Sequence, residues 1–160
     1  MRETLFNWLA SSISGSRCGD LFAGTGVLGL EAISRGCKEL IMIDSEPSVC
    51  NDLRELLEKF GADGDSQVIC ADAVESIVHL EGKFDIVFLD PPFAKQLLTP
   101  SLEALKVYRK LHRGGLVYVE MEHGPSHLDG ISSALTSGYW SVWRSGRTKK
   151  TDYALLASPS

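Results

Sequence analysis

Four residues in the middle of the chain offer the most specific chemistry. Asp90-Pro91-Pro92-Phe93 directly follows the apolar run 84–89, which is rich in β-branched and aromatic residues and indicates a strand buried on both faces. Proline has no N–H for a sheet ladder, so the strand must end at the edge where open α/β sheets bind ligands. The segment presents a carboxylate, carbonyl oxygens and an aromatic ring, which suit a planar group with an exocyclic amine. Taken alone, the segment is also compatible with a loop that only ends a strand.

A glycine-rich turn lies near the start of the chain. Gly24, Gly26 and Gly29 fit the pattern G-x-G-x-x-G between a predicted strand and a predicted helix. The glycines permit a tight turn and a close approach of a ligand to the backbone, and several nucleotide-like cofactors use this pattern. Asp20 precedes the glycines, where its carboxylate would attract a cationic group and repel a pyrophosphate.

Acids also end the next two predicted strands. Asp44 lies twenty residues after Gly24, the distance expected of a carboxylate that binds ribose hydroxyls. Asp72 ends the third strand, where it can accept a hydrogen bond from an adenine amine. A glycine loop with these acids and no phosphate-binding lysine predicts a site for S-adenosylmethionine. We expect the cofactor-binding residues on these turns to be Asp20, Phe22, Gly24, Gly26, Asp44, Asp72 and Ala73.

The elements that position these residues alternate along the chain. After an amphipathic helix over 2–13, strands are predicted near 18–22, 40–43, 67–70, 84–89 and 116–120, with helices over 27–35, 47–60, 73–80, 97–111 and 127–137. Two closing strands, near 139–144 and 151–157, form a hairpin. The pattern predicts one α/β domain, 1–160, with a Rossmann-like, mostly parallel seven-stranded sheet, helices on both faces and a C-terminal antiparallel hairpin.

Composition excludes several classes of protein. A hydrophobic fraction of 44% and a charged fraction of 23% are ordinary for a globular protein, and no apolar run is long enough to cross a membrane. The four cysteines, Cys18, Cys37, Cys50 and Cys70, form no C-x-x-C pair, so we expect buried reduced thiols in a cytoplasmic protein. His123 and His127 are spaced for a helical metal site, but the glycine and proline between them disfavour the helix, and we predict no metal.

The net charge of −5 disfavours extensive contact with nucleic acid. A basic cluster near the C-terminus is the exception; it follows Trp140 and Trp143 and comprises Arg144, Arg147, Lys149 and Lys150. Basic residues beside aromatic residues can form a local RNA-binding surface on an acidic protein. They are equally compatible with a solvated hairpin turn.

Several segments resemble one family over nearly the whole chain. The segment Arg2-Glu3-Thr4-Leu5-Phe6-Asn7-Trp8-Leu9 is the most specific; the glycine turn, Gly29-Leu30-Glu31-Ala32 and Asp90-Pro91-Pro92-Phe93 also match. They resemble the RsmD family, class I S-adenosylmethionine-dependent methyltransferases that modify the N2 amine of guanine in bacterial 16S ribosomal RNA. The resemblance implies that Arg2, Glu3, Thr4 and Phe6 border the cofactor pocket, and that Asp90, Pro91 and Phe93 are catalytic.

The resemblance also implies partners for the chain, and the sequence departs from the family pattern at one place. The expected partner is ribosomal RNA or an assembling small ribosomal subunit, and we expect a monomer. The family usually carries a basic, glycine-containing segment before the Arg-Glu-Thr stretch, whereas this sequence starts at Met1-Arg2. We therefore expect either a shortened chain or a homologue without that segment, with weaker affinity for RNA.

Three other functions compete with this hypothesis. The Asp-Pro-Pro-aromatic segment also suits methylation of adenine N6 in DNA, although no separate sequence-reading domain is evident. The glycine turn alone would suit an NAD-dependent oxidoreductase, which leaves Asp90-Pro91-Pro92-Phe93 unexplained. A non-catalytic RNA-binding assembly factor would be expected to lack one of the acids at the strand ends, and all of them are present.

Overall fold

The computed structural model describes residues 1–160 and contains seven strands and six α-helices. The strands are β1 (Arg17–Asp20), β2 (Glu39–Asp44), β3 (Ser66–Cys70), β4 (Phe84–Leu89), β5 (Leu111–Glu122), β6 (Ser141–Arg147) and β7 (Thr151–Ala157). The helices are α1 (Arg2–Trp8), α2 (Val27–Ser34), α3 (Pro47–Lys59), α4 (Ala73–Ile77), α5 (Leu98–Val107) and α6 (Ser132–Thr136).

All seven strands join one sheet in the order β3-β2-β1-β4-β5-β7-β6. Strands β1 to β5 run parallel, and β7 pairs antiparallel with both β5 and β6. The predicted mostly parallel sheet with a C-terminal hairpin is therefore confirmed. The chain order reverses between β1 and β4, and the carboxyl ends of β1 to β5 meet at one edge, where ligands bind in this architecture.

Apolar side chains fill a layer on each face of the sheet. Helices α1, α2 and α3 cover one face, where Phe6 packs against Phe88 with ring centroids 5.8 Å apart. Helices α4 and α5 cover the other face, over Val87 and Leu89. Neighbouring residues of β4 thus enter opposite layers, and all of them except Asp85 are buried. This explains why the strand has a continuous apolar sequence.

The helices are shorter than the apolar periodicity predicts. Helix α1 ends at Trp8 rather than near residue 13, and its α-helical hydrogen bonding gives way to turns that still bury Ile13. Helix α5 ends at Val107 because Arg109 adopts a left-handed conformation with φ of 52°. The chain turns there and enters β5 at Leu111.

Two further differences from the predicted elements lie in the second half of the chain. Gly114 and Gly115 lie inside β5 rather than before it, where the pairing with β4 shifts register between Phe84 and Ile86. The helix predicted over 127–137 is reduced to a 3-10 turn, Asp129–Ile131, and the single turn α6. Leu128, with a left-handed φ of 61°, interrupts the helical pattern there.

The cysteines only partly match the expectation of buried thiols. All four are free, and Cys18 and Cys50 are buried. Cys37 is half-buried and Cys70 is exposed, because β3 is an edge strand and its last residue faces solvent. None of the helices has the length and apolar character that a membrane crossing requires.

Candidate functional site

A cavity of about 560 Å³ lies over the carboxyl ends of the central strands. We call it the glycine-loop cavity. The turns after β1, β2, β3 and β4 all contribute to its wall, through residues that include Gly24, Asp44, Asp72, Ala73, Asp90 and Phe93. Acids that are far apart in sequence therefore converge on one cavity.

Backbone hydrogen bonds fix two of these acids. The Oδ2 atom of Asp44 accepts from the Gly24 N–H at 3.0 Å, and its Oδ1 atom accepts from the Glu46 N–H at 3.0 Å. Gly24 has a φ of 54°, a left-handed conformation that glycine adopts without strain. Asp72 caps α4, with Oδ1 accepting from the Glu75 N–H at 2.9 Å. The glycine turn and the acid on β2 are thus held as one rigid wall.

A second, smaller cavity of about 250 Å³ adjoins the first and shares Phe22 and Asp90 with it. We call it the N-terminal cavity, because Met1 and Arg2 lie in its wall. Asp20 faces this cavity and is almost completely buried.

The buried Asp20 carboxylate is only half satisfied. Its Oδ2 atom accepts from the Gly29 N–H at 3.3 Å, and its Oδ1 atom has no hydrogen-bond partner. Burial, reinforced by the nearby Asp90 and Asp44 carboxylates, raises its pKa from 3.8 to about 7. A buried, unpartnered oxygen on a cavity wall is a site for a donor, and a cationic donor would compensate the buried charge.

A third cavity of about 590 Å³ borders Pro91, Pro92 and Phe93, which also line the glycine-loop cavity. We call it the outer cavity; its wall includes Pro91, Phe93, Glu120, Glu122 and His123. Pro91 is buried, whereas the Phe93 ring is 37% exposed and borders both this cavity and the glycine-loop cavity. The segment therefore separates two spaces, each large enough for a ligand.

Glu120 is a site residue that the sequence analysis did not identify. Leu89 pairs with Val119, so Asp90, directly after β4, and Glu120, two residues before the end of β5, lie side by side. Burial raises the pKa of both carboxyl groups, and the charge of Asp90 helps to raise that of Glu120 to about 7. The sequence contained a signal for Glu120, because it is an acid at the end of the predicted fifth strand, 116–120, as Asp90 is an acid directly after the predicted fourth strand, 84–89.

Four residues expected at the cofactor pocket, Glu3, Thr4, Phe6 and Gly26, line neither the glycine-loop cavity nor the N-terminal cavity. Phe6 is completely buried against Phe88, and neither Phe6 nor Thr4 lines the glycine-loop or N-terminal cavity. Helix α1 presents one face to the core, so of its residues only Arg2 and Leu5 line the N-terminal cavity. Gly26 also lies off these walls, where a Cβ atom would come within 2.8 Å of Leu53.

The basic cluster divides into bound and free residues. Arg147 forms an ion pair with the buried Asp152, with Nε to Oδ1 at 2.6 Å, whereas Lys149 and Lys150 are exposed. Arg144 is exposed on β6, with its guanidinium carbon 5.3 Å from the centroid of the Trp143 ring. The pairing of Arg147 was not predicted, because it depends on which residue of β7 faces it.

His123 and His127 also lie close to the Asp152 carboxylate. His123 Nε2 lies 3.6 Å from Asp152 Oδ1, and His127 Nδ1 lies 3.4 Å from Asp152 Oδ2. Asp152 also accepts from the Leu128 N–H at 3.0 Å. These contacts tie the loop after β5, which borders the outer cavity, to the C-terminal hairpin.

Comparison with known proteins assigns the chain to a family. The family model described as conserved hypothetical protein 95, which is the RsmD family, matches residues 1–156. The chain belongs to the RsmD family. Its relatives include the ribosomal RNA small subunit methyltransferase D of Buchnera aphidicola, which is 32% identical over 156 residues covering 97% of this chain and 76% of the relative.

Another RsmD relative, from Escherichia coli, carries the same name and is 38% identical over 122 residues, or 76% of this chain. The aligned region spans only 61% of that relative's length. Among solved structures, yhhF of Escherichia coli superposes with a TM-score of 0.84 at 34% identity, covering 99% of this chain and 84% of that one. A methylase from Haemophilus influenzae gives a TM-score of 0.86 at 30% identity, covering 99% and 88%. The fold is that of class I methyltransferases.

Proposed function

We propose that this chain transfers a methyl group from S-adenosylmethionine to the exocyclic N2 amine of a guanine in small-subunit ribosomal RNA. The observation that carries the proposal is that Pro91, Pro92 and Phe93 border both the glycine-loop cavity and the outer cavity, while Asp90, directly before them, lines the glycine-loop cavity. A donor in the glycine-loop cavity and a base in the outer cavity would meet at Pro91, next to the Asp90 carboxylate. Relatives named ribosomal RNA small subunit methyltransferase D support RNA as the substrate.

The residues present fit S-adenosylmethionine. Asp44 and Asp72 suit ribose hydroxyls and an adenine amine, and the free Oδ1 atom of Asp20 suits a cationic amine in the N-terminal cavity. The same carboxylates would repel a pyrophosphate, which argues against a dinucleotide cofactor. When bound, S-adenosylmethionine supplies an electrophilic methyl group.

The residues at the end of β4 suit an amine that is a poor nucleophile. The lone pair of guanine N2 is delocalised into the ring, so the amine must be oriented before it can react. The Asp90 carboxylate and the Pro91 carbonyl accept its two N–H groups, which directs the lone pair towards the glycine-loop cavity. Asp90 then takes the proton that N2 loses. Positioning is its main contribution, since well-placed groups remove much of the entropic cost of reaction.

Phe93 and the exposed basic residues bind the rest of the substrate. The partly exposed Phe93 ring stacks on the base, a contact worth about 1–3 kcal/mol in complexes with single-stranded nucleic acid. The hairpin carries three exposed cations that can bind RNA phosphates: Arg144, Lys149 and Lys150. The target base must leave its stack to enter the outer cavity, at a cost of a few kcal/mol.

Two substitutions separate the roles of the acids. We expect Asp90→Ala to abolish methyl transfer and to leave the affinity for S-adenosylmethionine within about threefold, because Asp90 acts on the amine. We expect Asp44→Ala to weaken cofactor binding by about tenfold or more, through the lost ribose contact and a loosened glycine turn. Calorimetry measures the affinity, and a turnover assay on ribosomal RNA measures the transfer.

Asp52→Ala serves as the matched control, because Asp52 is an exposed acid on α3 that lines none of the three cavities. It should leave both readouts unchanged. Equal losses of cofactor affinity in the Asp90 and Asp44 variants would contradict the assigned roles.

A further inference from the structure

Glu120 occupies a position that the transfer step does not use. It lines the outer cavity together with Phe93 and lines the N-terminal cavity together with Asp90. The Tyr118 hydroxyl donates to its Oε2 atom at 3.2 Å, which restrains the carboxylate. Because β4 and β5 are parallel and paired in register at Leu89 and Val119, Glu120 is the acid that follows Asp90 along the edge of the sheet.

We propose that Glu120 selects guanine by accepting a hydrogen bond from its N1–H while Asp90 and Pro91 hold the N2 amine. This inference rests on the proposed function. Guanine presents N1–H and the N2 amine as adjacent donors, and two neighbouring carboxyl groups are complementary to them. Adenine presents its N1 as an acceptor beside its amine, so a carboxylate at this position repels it.

The surroundings of Glu120 favour such a contact. The side chain is half-buried, and hydrogen bonds discriminate best where water is excluded. A ring stacked on Phe93 would lie in the outer cavity, with its edge towards the ends of β4 and β5. Two adjacent carboxylates are unfavourable in the free protein, and a ligand with two adjacent donors relieves that repulsion.

The test compares two nucleotides that share the 2-amine and differ at N1 and the adjacent C6 oxygen. Guanosine 5′-monophosphate carries N1–H, the C6 oxygen and the 2-amine, whereas 2-aminopurine riboside 5′-monophosphate keeps the amine and lacks both N1–H and the oxygen; the variants assign the preference to the N1–H contact. Both are titrated into the full chain saturated with S-adenosylhomocysteine, with NMR shifts reporting the dissociation constants. We expect the unmodified chain to prefer guanosine monophosphate by about tenfold or more, as for a hydrogen bond to a charged group.

The variants assign that preference to one residue. We expect Glu120→Ala to reduce the preference to about twofold or less, since no acceptor remains for N1–H. Glu122→Ala is the control, because Glu122 is an exposed acid of the same cavity, and it should keep the full preference. A Glu120→Ala protein that keeps the preference, or an unmodified chain without one, overturns the inference.

Glu120→Gln covers the case in which the alanine variant does not fold. Its amide fills the same space and can donate to adenine N1, so the preference for guanosine over adenosine monophosphate should fall by about tenfold; an unchanged preference overturns the inference. Methyl transfer to RNA by the unmodified chain is scored separately. Transfer to guanine with a preference independent of Glu120 rejects this inference alone, whereas a Glu120-dependent preference without any transfer rejects the proposed function.

Discussion

Two buried carboxylates occupy opposite halves of the sheet and have opposite environments. Asp20, at the end of β1, has one oxygen bound to a backbone N–H and the other facing a cavity without a partner. Asp152, on β7, is bound by Arg147 and by the Leu128 N–H, and two histidine rings lie within 3.6 Å of it. Burial raises the pKa of Asp20 to about 7, whereas the hydrogen bonds from Arg147 hold the pKa of Asp152 far below its usual range.

The difference separates a structural acid from a binding acid. The protein itself supplies the hydrogen-bond donors to Asp152, so this carboxylate stabilises the folded chain without a ligand. Asp20 keeps an unpaired oxygen, which costs folding free energy until a ligand binds. In this fold, an unsatisfied buried acid therefore indicates where a cationic ligand is expected. Substitutions of Asp152, Asp20 and the basic residues of the hairpin test the comparison.

The largest effect is expected at Asp152. Asp152→Ala leaves the Leu128 N–H and the Arg147 guanidinium without their acceptor, and we expect it to lower the free energy of unfolding by about 2–4 kcal/mol. For a chain of this size, thermal unfolding should shift down by about 5–10 °C. Asp52→Ala, at an exposed position, should shift it far less. Equal shifts of the unfolding temperature in the two variants would contradict a structural role for Asp152.

The opposite sign is expected at Asp20. Asp20→Asn removes a buried charge and keeps an acceptor for the Gly29 N–H, so at about pH 8 it should raise the free energy of unfolding by about 1–3 kcal/mol. The same change should weaken S-adenosylmethionine binding by about tenfold or more, because the amide cannot compensate a cation. Denaturant titration and calorimetry measure the two effects. A variant that is destabilised at this pH would contradict the comparison.

The stability gain at Asp20 should depend on pH. Its pKa is raised from 3.8 to about 7 in the folded chain, so the folded state holds a proton that the unfolded state releases within that window. The stabilising contribution of Asp20 is complete below about pH 4 and is lost as the pH rises to about 7. The difference in unfolding free energy between Asp20→Asn and the unmodified chain should grow across this range and then level off. A difference in unfolding free energy that is independent of pH would contradict the raised pKa of Asp20.

The smallest effects on stability are expected at the free basic residues. Arg144→Ala, Lys149→Ala and Lys150→Ala should leave thermal unfolding almost unchanged, since these side chains are exposed. Each should reduce the salt dependence of RNA binding by about one unit of log–log slope if the residue contacts a phosphate. Arg147→Ala should instead lower the unfolding temperature, because Arg147 is held by Asp152. Filter binding to a ribosomal RNA fragment at several salt concentrations measures the slopes.

The sheet and most of the cavity wall could be predicted because their signals are local. Each acid that ends a strand follows an apolar run, and parallel strands bring their carboxyl ends together, so Asp20, Asp44, Asp72 and Asp90 could be placed before their distances were known. Asp90 was recognisable because two prolines follow it. These features depend on neighbouring residues in the sequence.

The remaining features depend on contacts between distant segments. The ion pair of Arg147 and Asp152 requires the register of the hairpin, which the turn residues do not specify. Phe6 was expected at the pocket, but the direction in which α1 packs places it in the core. Glu120 becomes significant only through its pairing beside Asp90, and helix ends such as that of α5 depend on a single left-handed residue.

The most direct measurement of the proposed reaction is transfer of a tritiated methyl group from S-adenosylmethionine to small ribosomal subunits and to naked 16S ribosomal RNA, followed by nucleoside analysis. We predict that the label is recovered as N2-methylguanosine and that Asp90→Ala abolishes it. Recovery of the label as N6-methyladenosine from duplex DNA assayed in parallel, or no transfer to any nucleic acid while the cofactor is bound, would contradict the proposed function.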